Sequence, residues 1–100
     1  ELPVTLKFIQ KYVKPGQKIL DVACGTGRYA HILLNEGYLM GLNDLSQKNM
    51  DLTLKKTGDH PGIIHRSVSD ALDSDIWDKE KWDAILILGP LYHLPVNRIV

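Results

Sequence analysis

At 100 residues the chain is one domain's worth or less: two domains within it are excluded, and roughly two thirds of the unfolded surface can be buried around one small core. With 44% hydrophobic and 24% charged residues, eight Gly and five Pro, it has the composition of an ordinary globular protein and not of a disordered, collagenous or disulfide-rich one. Twelve basic residues cancel twelve acidic ones, so the chain as a whole has no electrostatic pull toward nucleic acid or an anionic membrane, and recognition must be local.

In chain order, Val4, Phe8, Ile9, Tyr12 and Val13 at helical spacing, after Pro3 and before Pro15-Gly16, predict an amphipathic first helix. Lys18 to Ala23 follows as a short strand with a glycine-containing turn behind it. From about Gly27, Ala30, Leu33 and Leu34 mark a helix stopped by Gly37, and Tyr38 to Asn43 is a second strand. Ser46 is a suitable N-cap for a helix through Met50 and Leu54 that ends at Gly58. Ile63 to about Ser69 makes a third strand, and Trp82 to Leu88 is the strongest strand signal in the chain. Strands alternating with helices at this spacing imply right-handed crossovers and an α/β fold, a Rossmann-like doubly wound parallel sheet with helices on both faces.

Ala84 to Leu88 is apolar at every position, the pattern of a strand buried on both sides, yet too few residues follow for another crossover and strand. The sheet is therefore expected to continue past Val100, or to have this open edge covered by another chain, a homo-oligomer being one arrangement. The first residue is not Met, and the chain is read as a portion of a longer one. Asp70, Asp73, Asp75, Asp78, Glu80 and Asp83 form the only charge block, the usual signature of a solvated connection. A single cysteine, Cys24, suits a reducing compartment; no apolar run approaches membrane-spanning length and no leader pattern opens the chain, so a cytoplasmic location is expected.

The turn after the first strand, Asp21 to Ala30, contains G-x-G-x-x-A at Gly25, Gly27 and Ala30. Glycines let the backbone bend sharply and approach a ligand, while the following helix start offers free N–H groups. Dinucleotide and S-adenosylmethionine enzymes share this geometry, as does a purely structural tight turn. Asp21, just ahead of the turn, would repel a diphosphate but suits an ammonium group; its plainer role is to cap backbone N–H groups of the loop. Asp44, seventeen positions beyond Gly27, falls at a strand end beside the loop, where a carboxylate accepts from ribose hydroxyls or merely opens the turn before Ser46. Asp70 and Ala71 end the third strand, where the acid accepts from an adenine amino group and the alanine leaves room for the ring, unless Asp70 is simply solvated.

Together these residues resemble class I S-adenosylmethionine-dependent methyltransferases of the small-molecule type, from Ile19 to about Leu94. Ile19 to Ala30 looks like the family's first motif, Gly37-Tyr38 through Asp44-Leu45-Ser46 like its second strand with the acidic end, and Trp82 to Leu94 like its fourth strand and following loop. The resemblance implies S-adenosylmethionine as cofactor, with Asp21, Ala23, Gly25 and Gly27 around its methionine part, Asp44 on the ribose and Leu45 packed on the adenine. It further implies that Asp70 and Ala71 contact the adenine and that Leu88 lines the methionine end. Asn43 departs from the pattern, standing where the family usually has an apolar strand residue.

Tyr92 and His93 are the polar members of the loop after the fourth strand and the candidate catalytic residues; a histidine near neutrality can serve as general base, or as a packing residue. The absence of an Asn/Asp-Pro-Pro-Tyr sequence argues against methylation of the amino groups of bases or glutamine. His60 and His65 fall on a turn and a strand without a Cys or His cluster, so no metal site is expected. The expected partner is a small-molecule methyl acceptor, with no nucleic acid and no membrane. The rival readings are an NAD(P)-dependent oxidoreductase with the same loop, and a non-catalytic nucleotide-binding module.

Overall fold

A computed structural model describes residues 2–22, 24–25, 27–70 and 82–87. In chain order they form α1 (Leu2–Tyr12), β1 (Lys18–Val22), α2 (Arg28–Asn35), β2 (Leu39–Asp44), α3 (Gln47–Thr57), β3 (Ile63–Val68) and β4 (Ala84–Ile87). The strands make one open parallel sheet in the order β3-β2-β1-β4. The chain steps outward from β1 to β3 and then returns to the far side of β1. The crevice between the carboxyl ends of β1 and β4 is therefore the topological switch point, where open α/β sheets bind ligands.

Strand alternation sorts the side chains. Ile19 lies opposite Met40 and Ala84, and Asp21 opposite Leu42 and Leu86, so these six share one face. That face carries the core: Ile19, Met40, Leu42, Ala84 and Leu86 pack with Ile9 of α1 and Val13 just after it, Ala30, Leu33 and Leu34 of α2, and Met50 of α3. Burying aliphatic side chains of this size stabilises by about 1.5–3 kcal/mol each relative to exposure, which is why short helices that would fray alone are held here.

Helix ends follow the local chemistry. Gly37, at φ 97°, lets α2 finish in a Schellman turn, with Tyr38 N–H on the Leu33 carbonyl and Gly37 N–H on that of Leu34 (both 3.1 Å). Tyr38 then sends its hydroxyl to the Val13 carbonyl at 2.7 Å, tying the end of α1 to the start of β2. Ser46 caps α3 by accepting from Asn49 N–H at 3.1 Å.

The second face of the sheet has a different filling. Leu20 is fully buried there, beside its register partner Gly41. A Cβ at Gly41 would run into the Trp82 ring, so the indole lies across β2 in the space this glycine leaves. Trp82 and Asp83 were expected within the fourth strand; they precede it instead. The Asp83 carboxylate accepts from Lys18 N–H at 2.8 Å and its own N–H donates to the Lys18 carbonyl at 2.7 Å, locking the starts of β1 and β4 together. Gly41→Val is expected to cost about 1–3 kcal/mol by overpacking against the indole, read as a lower urea midpoint with unchanged slope; an unchanged midpoint would mean that the ring does not cover β2.

β4 has β1 as its neighbour, and no described strand lies on its other side. Its burial alternates, Ala84 and Leu86 buried, Ile85 and Ile87 half-buried, so the all-apolar run is not enclosed on both faces by the described residues. The acidic connection 71–81 and the chain from 88 onward lie outside those residues.

Candidate functional site

Because the sheet is parallel, the residues that follow β1, β2 and β3 gather at one edge. Gly25 (φ 59°) and Gly27 (φ 83°) adopt the left-handed backbone expected of the glycine turn, which only glycine takes without strain. The turn is drawn onto β2 by Cys24 N–H on the Asn43 carbonyl (2.8 Å) and closed by Gly27 N–H on the Cys24 carbonyl (3.0 Å). Gly27 is the N-cap of α2, and no side chain caps this helix. The first N–H groups of α2, with the positive end of its dipole, are thus presented at the switch point.

Asp44, 5% exposed at the end of β2, ties the edge together. One carboxylate oxygen accepts from Gly25 N–H at 2.8 Å; the other accepts from Ser46 N–H at 2.9 Å and from the Asn49 amide at 3.4 Å. The plain role expected of Asp44, an Asx-type turn ahead of α3, is therefore visible, and Asp44 also accepts from the glycine turn, the contact expected of Asp21. A carboxylate has about four acceptor positions, which leaves room for a ligand hydroxyl beside Gly25 N–H.

Asp21 shares the core face of the sheet with Asp44 and is 3% exposed. Burial first, and the Asp44 carboxylate second, push its carboxyl up from 3.8 to about 7. An acid held on the threshold of ionisation beside the glycine turn is a group whose charge a bound cation would restore and a bound diphosphate would oppose.

Leu45, immediately after Asp44, is 72% exposed, an apolar side chain presented at the sheet edge. Ser69 N–H donates to the Asp44 carbonyl at 3.0 Å, which brings Ser69 and the exposed Asp70 alongside. Asp21, Gly25, Gly27, Asp44, Leu45 and Asp70 thus all lie at, or lead into, one edge of the sheet. Ala23, Ala71, Leu88, Tyr92 and His93 lie outside the described residues. Among the described residues no group of acids, histidines and cysteines is arranged to hold a metal ion.

Three features escaped the sequence reading. Asn43 is buried because its amide nitrogen donates to Ser67 Oγ (2.9 Å), Ser69 Oγ (3.2 Å) and the Ser69 carbonyl (3.3 Å), fastening the end of β3 to β2 and so setting where Asp70 stands. Its polar partners arrive from another strand, which no local pattern announces. Thr53, fully buried on α3, donates its hydroxyl to the Gly25 carbonyl at 2.8 Å. Its place three residues after Met50 and one before Leu54, on the apolar face of the helix, was the available signal. Cys24, whose thiol burial pushes up to about 11, stays protonated at neutral pH and is no nucleophile.

Residues 19–100 match the family described as "Methyltransferase domain". The chain belongs to this methyltransferase family. Its resemblance to class I S-adenosylmethionine-dependent methyltransferases rests on that match and on the four-stranded parallel sheet. Similar proteins include glycine N-methyltransferase of Mus musculus, 33% identical over 86 residues, which cover 78% of this chain and 29% of that protein. Glycine N-methyltransferase of Rattus norvegicus is 33% identical over 89 residues, 81% of this chain and 30% of the relative. A putative ribosomal RNA large subunit methyltransferase of Methanocaldococcus jannaschii is 26% identical over 92 residues, 85% of this chain and 24% of the relative. The chain thus spans less than a third of the length of these methyltransferases, and the family match contains the glycine turn and the acidic ends of the strands. No described helix is long and apolar enough to cross a membrane.

Proposed function

We propose that this methyltransferase chain binds S-adenosylmethionine at the edge formed by the glycine turn, Asp21 and Asp44, for methyl transfer to a small-molecule acceptor. The observation that carries the reading is the buried Asp21 carboxyl, raised to about 7 on the strand that runs into the turn. An ammonium beside it converts a costly buried acid into a paired carboxylate, whereas a diphosphate would add negative charge to a site already holding two acids. When bound, the sulfonium supplies a methyl group on an already activated leaving group.

The chain's own residues then have separate tasks. Asp21 pairs with the ammonium. The uncapped start of α2 and the turn receive the carboxylate of the amino-acid tail. Asp44, already fixed by Gly25 and Ser46, accepts from a ribose hydroxyl. Leu45 covers one face of the adenine and Asp70 accepts from its amino group. Ala23, Ala71 and Leu88 keep the contacts that the resemblance implies, and Tyr92 and His93 belong to the acceptor side, His93 as general base. Correct in-line placement and exclusion of water, rather than a metal, supply the acceleration.

A small-molecule acceptor is supported by the two glycine N-methyltransferase relatives and by a formal charge of zero over these 100 residues, which provides no excess of cations for a polynucleotide. Cytoplasmic residence suits the single unpaired Cys24.

Calorimetric titration of the intact protein with S-adenosylhomocysteine and, separately, with NADH tests the cofactor. Binding of the first alone is expected; binding of NADH alone would replace the reading with the oxidoreductase one. Methyl transfer to ribosomal RNA but to no small amine, thiol or hydroxyl compound would retain the cofactor and reject the acceptor class.

A further inference from the structure

We propose that Thr53, on α3 and twenty-eight positions from the turn it touches, is a positioning residue for cofactor binding: its hydroxyl holds the Gly25 carbonyl so that the Gly25 N–H stays turned to Asp44. The proposal rests on the cofactor reading above. Gly25 has no side chain to restrict its rotation, and its left-handed φ of 59° is one choice among several open to glycine. Two bonds from two elements remove that freedom: Asp44 of β2 accepts from its N–H at 2.8 Å, and Thr53 of α3 donates to its carbonyl at 2.8 Å.

Proton counting extends the chain by one link. A threonine hydroxyl carries one hydrogen, and the Gly25 carbonyl takes it. The 3.5 Å contact between Cys24 Sγ and Thr53 Oγ1 therefore runs from thiol to hydroxyl, with the thiol held protonated by burial. The series Cys24 S–H, Thr53 O–H, Gly25 C=O is buried at its centre, where successive bonds polarise one another.

The other half of the side chain does a different job. A Cβ at Gly27 would come within 2.9 Å of the Thr53 methyl and 3.0 Å of its Cα, so α3 and the turn are packed to contact at that point. The methyl thus fills space under the turn while the hydroxyl orients it. The two roles separate by substitution: Thr53→Val keeps the shape and removes the donor, and Thr53→Ser keeps the donor and removes the methyl.

The test measures S-adenosylhomocysteine affinity, melting temperature and hydrogen exchange at Gly25 N–H in the intact wild type, T53V and T53S. T53V is expected to bind roughly five- to tenfold more weakly, the scale of one lost hydrogen bond, and to exchange faster at Gly25. T53S is expected to bind within about twofold of wild type and to keep the Gly25 protection, although its melting temperature falls with the lost methyl. Wild-type affinity in T53V, or equal loss in T53S and T53V, would overturn the proposal while leaving the cofactor reading standing. Absence of binding by the wild type itself would overturn both.

Discussion

Asp21→Asn is expected to raise the melting temperature of the ligand-free protein at pH 8 and, at the same pH, to remove most of its affinity for S-adenosylhomocysteine. An ordinary carboxyl in the unfolded chain loses its proton near 3.8, whereas the folded Asp21 keeps it to about 7. Between those values folding takes up a proton, so this group's contribution makes stability fall as pH rises from about 4 to 7, and above 7 the full penalty remains. At 1.36 kcal/mol per unit the penalty has an upper bound of about 4 kcal/mol. Asparagine, of the same shape but without charge, removes it, and each kcal/mol recovered moves the melting temperature by roughly 4–8 °C in a domain of this size. The gain should shrink toward pH 4. The affinity loss follows from the missing charge-assisted contact with the ammonium, roughly tenfold to a hundredfold. Unchanged affinity would remove Asp21 from the site, and a lower melting temperature at pH 8 would show that the carboxylate stabilises the ligand-free fold.

Asp44→Ala acts on both the fold and the site, in the opposite sense on stability. It leaves Gly25 N–H, Ser46 N–H and the Asn49 amide without their carboxylate acceptor. Two of these are short backbone contacts to a charged group, so a net loss of about 2 kcal/mol is expected, part of the gross cost being offset by relief of repulsion with Asp21. Affinity for S-adenosylhomocysteine should drop by a further 1.5–3 kcal/mol, or roughly tenfold to a hundredfold, since the turn loses its anchor and the ribose its acceptor. A distinct mark accompanies these changes. The Asp44 charge is the second cause of the raised Asp21 value, so the pH at which Asp21 ionises should move down in the variant, read by NMR titration of its carboxyl carbon. Full retention of affinity would refute the role of Asp44, and an unmoved Asp21 titration would refute the coupling.

The elements were legible because their signals are local. Helix starts and stops at Ser46, Gly37 and Gly58, and the apolar strands, depend on residues adjacent in the chain, and the observed boundaries fall within one or two residues of those expected. The glycine turn and the acidic strand end were equally readable, since φ near +60° to +80° at Gly25 and Gly27 restricts the residue type. What pattern reasoning could not supply is what crosses between elements. The buried Asn43 looks like a defect in a strand until Ser67 and Ser69 arrive from β3. Trp82 reads as strand until the gap over Gly41, two strands away, is known to receive its ring. Thr53 looks like an ordinary helix residue until the turn closes on it. Each is a contact between residues at least 24 positions apart, set by the sheet's order rather than by neighbouring sequence.

In the proposed function the Asp21 carboxyl gives up its proton when a positively charged amino-acid tail arrives. Titration calorimetry of S-adenosylhomocysteine into the intact protein, run in two buffers of different ionisation enthalpy, counts that proton. With an acid at about 7, binding should release about 0.9 proton at pH 6 and about 0.1 at pH 8. Binding that releases none at pH 6, or that takes protons up, would contradict pairing between Asp21 and the ammonium.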